Sequence, residues 1–199
     1  AIASYISVAN APDRWRRLVT ASVPPAGAVG RGFFSYAQLQ RSWYIWFFQT
    51  PLAEMAVPLD DLAFIDGLWD DWSPGFDGAR WAGHCKDALR DPSNLAAAIG
   101  YYRATVGSGA RSPEYDTVQA AGGGAMPVPT LYLHGEDAGC MGAEFITDEI
   151  LAGLPVEGSL LELVPGTGHF LHLEAPDDVA AEIARARRQS DRVSERSHA

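Results

Sequence analysis

The segment 164–176, which reads VPGTGHFLHLEAP, gives the strongest indication of chemistry in the sequence. A β-rich run ends, two glycines allow a tight turn, and His169 follows directly. If that run is a strand of a parallel sheet, His169 lies at its carboxyl edge, where open α/β sheets place ligands and catalytic groups. An imidazole there is suited to general base catalysis near neutral pH. The alternative is a capped loop in which His169 only hydrogen-bonds the backbone.

A second strand end with polar residues lies 32 positions before His169. Residues 133–140 read LHGEDAGC. A carboxylate in this loop is able to orient the imidazole and stabilise its protonated form, and Asp137 is the first candidate, with Glu136 as the weaker one. The alternative is a plain turn, because Asp and Gly are ordinary turn residues.

These loops need a sheet to position them, and the pattern of the chain predicts one. Strands are predicted near residues 16–23, 128–135 and 159–164, with helices at 1–10, 145–154 and 177–188 and a nearly all-helical block at 36–106. Strands that alternate with helices predict an α/β fold with a mostly parallel sheet. The helical block interrupts this alternation and is expected to cover one end of the sheet. Three strands are few for this much chain, so we expect the sheet to be incomplete.

The composition excludes several classes of function. With 15 Lys and Arg against 25 Asp and Glu, the net charge is −10, which disfavours nucleic acid as a partner. No apolar run is long enough for a membrane span. Cys85 and Cys140 form no CxxC motif, and no signal peptide heads the chain, so the expected location is the cytoplasm. No phosphate-binding glycine motif or cluster of metal-ligating side chains predicts a cofactor.

The sequence resembles the C-terminal half of an α/β-hydrolase-fold protein. The resemblance rests on PTLYLHG followed by GHFLHLEAP in the two loop regions. The helical block, with SWYIWFFQTPLAE at 42–54 and IGYYRA at 99–104, is similar to the cap of the epoxide hydrolase branch. Haloalkane and haloacid dehalogenases with the same type of cap are close relatives.

The resemblance implies a domain organisation. Residues 1–25 correspond to the core segment after the nucleophile elbow, and 26–126 to the helical cap and its connector. Residues 127–188 correspond to the C-terminal core with the acid and histidine loops, and 189–199 to a disordered tail. The nucleophile of the family, an Asp or Ser in a Gly-x-nucleophile-x-Gly turn, is therefore expected before Ala1. The glycine loop of the oxyanion hole is also expected outside the chain.

The resemblance also assigns site residues. In the epoxide hydrolase branch two cap tyrosines hydrogen-bond the epoxide oxygen, and the matching positions are Tyr44 and Tyr102. A phenol is a neutral donor whose hydrogen bond strengthens as negative charge grows on that oxygen. The family's acid falls at Ala138, so Asp137 stands one residue earlier than the pattern. The alternative for both tyrosines is packing in an amphipathic cap helix.

The predicted function is that of an epoxide hydrolase-like enzyme that acts on a small apolar organic substrate. A nucleophile attacks the substrate, and His169 then activates water. The alternatives are a dehalogenase-like or esterase-like hydrolase and a non-catalytic fragment, and without its nucleophile the 199-residue chain is expected to be inactive. Residues 75–79, GFDGA, are the nearest substitute for a nucleophile turn, but they fall in the helical block. The other aromatic residues of the cap motif are expected to pack or line the pocket: Trp43, Trp46, Phe47 and Phe48.

Overall fold

A three-stranded parallel sheet is the centre of the fold in the described part of the chain. The computed structural model describes residues 1–107, 109–146 and 148–196, without the side chains of 28–31, 148–149 and 190–196. The strands are β1 (Leu18–Ala21), β2 (Thr130–Gly135) and β3 (Leu160–Val164), in the order β1-β2-β3. Both pairings are parallel, as the alternation of strands and helices predicts, and they bring the carboxyl ends of all three strands to one edge.

Helices surround this sheet and build a separate layer at one end. They are α1 (Ile2–Asn10), α2 (Ala26–Val29), α3 (Tyr36–Arg41), α4 (Trp43–Phe47), α5 (Ala53–Ala56), α6 (Leu59–Trp72), α7 (Ala79–Leu89), α8 (Pro92–Val106), α9 (Asp116–Ala121), α10 (Asp148–Ala152), α11 (Leu171–Glu174) and α12 (Pro176–Arg196). Single 3₁₀ turns lie at Pro12–Arg14, Gly30–Phe34, Pro113–Tyr115 and Ala143–Phe145. Within these ranges no helix combines the length and the apolarity needed to cross a bilayer.

The two faces of the sheet are buried by different helices. Side chains alternate along β2, so Tyr132 lies on one face while Leu131 and Leu133 lie on the other. Tyr132 packs with residues of α1 and α10, and the two leucines pack with residues of α11 and α12. This two-sided burial explains why all positions of β2 are buried and why its central residues, Leu131, Tyr132 and Leu133, are apolar.

The cap has its own apolar core, formed by residues from α4 to α8. Its buried members are Tyr44, Phe48, Ala53, Val57, Leu62, Leu68, Leu95 and Ile99. α6 has left-handed backbone at Asp60, Asp61 and Leu62 and is regular after Leu62. Ion pairs from the C-terminal end of α7 hold α6. Arg90 donates to both carboxylate oxygens of Asp61 at 3.0 Å, and Lys86 donates to Asp66.

The structure adds detail at three places in the chain. The aromatic segment 36–48 contains two helices that meet at Ser42, whose Oγ accepts a hydrogen bond from Gln38 Nε2 at 2.8 Å. The connector contains α9, which packs against α1, where Asn10 donates to the carbonyl of Val118 at 2.9 Å. The predicted tail from 189 is helical up to Arg196, because 177–196 contain no Gly or Pro that would end α12. Residues 197–199 lie outside the described residues.

Candidate functional site

His169 lies at the carboxyl edge of the sheet, in the loop between β3 and α11, as the sequence predicts. Gly166 adopts a left-handed φ of 65° in this loop, a conformation that suits a residue without Cβ. The N–H of His169 donates to the carbonyl of Trp72 at 3.0 Å, and its carbonyl accepts from Ser22 Oγ at 2.6 Å. The main chain of His169 is therefore bonded to the end of cap helix α6 on one side and to the residue after β1 on the other.

Glu174 fixes the shape of the same loop. Its carboxylate accepts hydrogen bonds from the N–H groups of Gly168 and Phe170 at 2.7 and 3.0 Å, and from Ser73 Oγ at 2.7 Å. Hydrogen bonds to a charged acceptor are the strong ones, so the loop on both sides of His169 is held. Sequence reasoning did not identify Glu174 or Ser73. The signal for Glu174 was its place at the end of the HLE segment, five residues after His169.

The imidazole of His169 is held in its neutral form. Its Nδ1 is buried and has no hydrogen-bond partner among the described residues. Its ring centroid lies 5.4 Å from that of Trp72. Burial, and then the charges of His134 and His172, lower the pKa of His169 to about 4. At neutral pH the ring is therefore a neutral acceptor, the form that a general base requires.

The predicted carboxylate partner does not bind this imidazole. Asp137 is exposed, and its backbone N–H donates to the carbonyl of Thr167 at 2.9 Å, so the acid loop and the histidine loop are adjacent. Ala138 is the residue whose side chain is buried, with 4% of its surface exposed. Neighbouring residues of the loop face different ways, and Asp137 faces solvent. Glu136 is exposed as well.

The structure brings the two predicted cap tyrosines together. Tyr44 of α4 and Tyr102 of α8 meet edge to face, with ring centroids 5.8 Å apart and planes at 89°. Tyr44 is buried and packs against Trp72 at 5.0 Å between centroids, so one indole contacts both Tyr44 and His169. The hydroxyl of Tyr44 is also 3.3 Å from Cys140 Sγ.

Both phenols are neutral donors at neutral pH. Burial, with smaller contributions from Cys140 and Tyr102, raises the pKa of Tyr44 far above its usual value. Burial and the nearby Cys140 and Tyr101 raise the pKa of Tyr102 to about 12. A buried phenol that keeps its proton stabilises negative charge on an acceptor oxygen by hydrogen bonding.

The other aromatic residues of the cap motif mostly pack against one another. Phe48 is buried, and Phe47 stacks on Phe64 at 5.5 Å between ring centroids. Trp43 contacts Phe64 edge to face at 5.6 Å and is 42% exposed. The indole N–H of Trp46 is buried and has no hydrogen-bond partner among the described residues.

The other histidines in the described part of the chain do not converge on a metal site. His134 is fully buried, and its two ring nitrogens pair with the hydroxyl of Tyr132 at 2.7 Å and the carbonyl of Met141 at 3.0 Å. His172 and His84 are exposed. In the described ranges no three His, Cys, Asp or Glu side chains are grouped so that they could hold a metal ion.

The segment 75–79 does not form a nucleophile elbow. It follows the end of α6 and leads into α7, so it connects two cap helices rather than a strand and a helix. Asp77 within it is exposed, and its side chain lies in the turn between these two cap helices.

Comparison with solved structures identifies the fold as that of the α/β-hydrolases with a helical cap. A protein from Klebsiella pneumoniae subsp. pneumoniae that is named as an epoxide hydrolase matches with a TM-score of 0.74 and 23% identity over 92% of this chain and 62% of its own. A mutant of an epoxide hydrolase from Bacillus megaterium matches with a TM-score of 0.65 and 14% identity, over 92% of this chain and 64% of that one. A loop variant of a haloalkane dehalogenase from Bradyrhizobium elkanii matches with a TM-score of 0.70 and 16% identity, over 99% and 67%.

These matches set the extent of the resemblance. The chain spans about three fifths of the length of the first of these structures, so it corresponds to part of the α/β-hydrolase fold. No protein-family model matches the sequence, and no curated protein does.

Proposed function

We propose that this chain carries the histidine and the leaving-group donors of an epoxide hydrolase-like enzyme. The observation that carries the proposal is the edge-to-face pair of Tyr44 and Tyr102, of which Tyr44 contacts the indole of Trp72, and the same indole contacts His169. A buried and a half-buried phenol near a neutral imidazole provide donors for an oxygen that becomes negative and a base for water. The aromatic surroundings favour a small apolar organic substrate.

The proposed reaction has two steps. A carboxylate nucleophile outside these 199 residues attacks an epoxide carbon, the C–O bond breaks, and its electron pair moves to the oxygen, which Tyr44 and Tyr102 bind and protonate. His169 then takes a proton from water, and the resulting hydroxide cleaves the ester of the intermediate. The proton on His169 returns through solvent to the phenolate, so the products are a diol, the regenerated carboxylate, the neutral imidazole and the neutral phenol. Because the nucleophile lies outside the chain in this proposal, the 199-residue chain alone is expected to hydrolyse neither epoxides nor esters.

A dehalogenase-like reaction is the second candidate, and one observation favours it. The indole N–H of Trp72 is buried and has no hydrogen-bond partner among the described residues, and its ring contacts both Tyr44 and His169. A buried donor without an acceptor is costly, and a leaving halide is an acceptor that would satisfy it. The haloalkane dehalogenase from Bradyrhizobium elkanii is similar in fold.

Ligand binding by the 199-residue chain tests the proposed donors without requiring turnover. The carbonyl oxygen of a neutral aryl amide is an acceptor comparable to an epoxide oxygen, and tryptophan fluorescence reports its binding. Loss of one hydrogen bond costs about 0.5–1.5 kcal/mol, so Tyr44→Phe and Tyr102→Phe are each expected to raise Kd about twofold to tenfold. Tyr101→Phe is the matched control, because Tyr101 is adjacent in sequence but exposed.

The outcomes separate the candidates. Equal Kd values for the parent and all three phenylalanine variants would contradict a donor role for the cap tyrosines. Bromide is titrated in a parallel experiment, and a saturable quench of tryptophan fluorescence that is lost in Trp72→Phe would favour the dehalogenase-like reaction.

Cys85 and Cys140 are both free thiols, which supports the proposal of a reducing, cytoplasmic location.

A further inference from the structure

Ser22 has a backbone conformation that is unusual for its residue type. It is the first residue after β1, its φ is 62°, and it is buried, with 4% of its surface exposed. Serine pays a steric penalty in the left-handed region that glycine does not pay. Such strain persists only where the surrounding structure determines the conformation, and it is concentrated at functional sites.

The contacts of Ser22 show what holds it in this conformation. Its N–H donates to the carbonyl of Leu133 at 2.9 Å, which continues the pairing of β1 with β2 by one residue. Its Oγ donates to the carbonyl of His169 at 2.6 Å, across 147 positions of sequence. The left-handed backbone thus directs the hydroxyl of Ser22 from the carboxyl edge of β1 to the histidine loop.

The bond from Ser22 is one of two that hold the main chain of His169. On the other side the N–H of His169 donates to the carbonyl of Trp72 at 3.0 Å, and the same carbonyl accepts from Gly139 N–H at 3.0 Å. The cap therefore holds the N–H of His169, while Ser22 at the end of the core strand holds its carbonyl. The N–H of Phe170, in the same peptide group as that carbonyl, donates to Glu174 at 3.0 Å and to Ser73 Oγ at 3.2 Å. Nδ1 gives the side chain no anchor among the described residues, so the direction of the ring depends on the main chain and on packing.

We propose that Ser22 is a positioning residue for His169: its hydroxyl binds the carbonyl of His169 and, together with the bonds that Glu174 and the cap make to this loop, sets the direction of the ring. This inference rests on the proposed catalytic role of His169. Replacement by alanine removes the donor, and glycine removes the donor but relieves the strain. Threonine keeps the donor but adds a β-branch to a left-handed residue, which increases the strain.

The variants therefore separate the positioning of His169 from the stability of the fold. NMR titration of the imidazole of His169 reports on the positioning. The resonance is assigned by its loss in His169→Gln. In Ser22→Ala and Ser22→Gly the released loop admits water, and the pKa of His169 is expected to rise by about one unit. In Ser22→Thr the hydroxyl remains, so the pKa is expected to stay within about 0.2 unit of the parent although the melting temperature falls.

Thr20→Val is the matched control. Thr20 is also a buried hydroxyl residue of β1, but its Oγ1 bonds the hydroxyl of Tyr5 at 2.7 Å rather than the histidine loop. This variant is expected to lower stability and leave the titration of His169 unchanged. Parent-like titration in both Ser22→Ala and Ser22→Gly would overturn the proposal. A pKa shift of His169 in Ser22→Thr or Thr20→Val as large as that in Ser22→Ala and Ser22→Gly would also overturn the proposal, because the pKa would then follow stability alone. None of these readouts requires epoxide turnover, so failure of the proposed function leaves the test decisive.

Discussion

Introduction of a carboxylate at position 138 is expected to raise the pKa of the imidazole of His169. Ala138 is buried, and the backbone N–H of the preceding residue, Asp137, donates to Thr167 of the histidine loop. The Nδ1 of His169 has no partner among the described residues. The exposed Asp137 leaves the imidazole without a counter-charge. An aspartate at position 138 is expected to direct its carboxylate to this buried side, adjacent to the histidine loop.

The size of the effect follows from the pKa of the imidazole. Burial sets the pKa of His169 at about 4. An opposite charge within about 4–6 Å shifts a pKa by about 1–3 units, so Ala138→Asp is expected to bring the pKa of His169 to about 5–7. At 1.36 kcal/mol per unit, this corresponds to a coupling of about 1.5–4 kcal/mol between the two side chains.

The assay is NMR titration of the imidazole in the parent and three variants. Ala138→Asn is the neutral control with nearly the same shape, and it is expected to leave the pKa low. Asp137→Asn is also expected to have no effect, because Asp137 is exposed and does not bond the ring. The reasoning is refuted if Ala138→Asp leaves the pKa near 4. A fall of the pKa in Asp137→Asn would instead show that Asp137 is the acid in solution.

Further expectations concern stability and activity. Because the pKa of His169 is lower in the folded chain than its unfolded value of about 6.5, the unfolded state binds more protons, and the free energy of unfolding should fall by about 3 kcal/mol as pH decreases from 6.5 to 4. Urea titrations across this range should show a smaller loss in His169→Gln, with a remaining slope from His134, whose pKa burial also lowers. Glu174→Gln should lower the free energy of unfolding by about 1.5–3 kcal/mol because charge-assisted bonds to the histidine loop are lost, whereas the exposed Glu157→Gln should change it by less than about 0.5 kcal/mol. Hydrolysis of styrene oxide and of p-nitrophenyl esters by the 199-residue chain should equal the background rate; activity that disappears in His169→Ala would show that a nucleophile lies within the chain.

Local patterns were sufficient to predict the fold class and the place of His169. Alternating strands and helices fix a parallel sheet, and a glycine turn after a strand places His169 at its carboxyl edge. The cap motifs predicted that Tyr44 and Tyr102 would meet, although they lie 58 positions apart. The sheet and the place of His169 depend on periodicity and turn chemistry, which the sequence shows directly, whereas the tyrosine pair was indicated only by the resemblance to the epoxide hydrolase cap.

Features that depend on long-range contacts could not be predicted in the same way. Whether Asp137 or Ala138 faces the interior depends on one residue of register in a loop, which no pattern specifies. The bond from Ser22 to His169 joins residues 147 positions apart, and nothing in the local sequence around Ser22 indicates a left-handed backbone. The separation of α3 from α4 at Ser42 could not be predicted either, because residues 36–48 contain no Gly or Pro.

The central claim is that Tyr44 and Tyr102 bind the departing oxygen of an epoxide. The most direct measurement is turnover of styrene oxide and of a p-nitrophenyl ester by the protein translated together with the coding sequence upstream of Ala1, compared with its Tyr44→Phe and Tyr102→Phe variants. Loss of one transition-state donor costs about 3 kcal/mol, so each variant is predicted to lose about a hundredfold or more in epoxide turnover while ester turnover changes little. Epoxide turnover within about twofold of the parent, at unchanged stability, would contradict the account and leave the two tyrosines as packing residues of the cap.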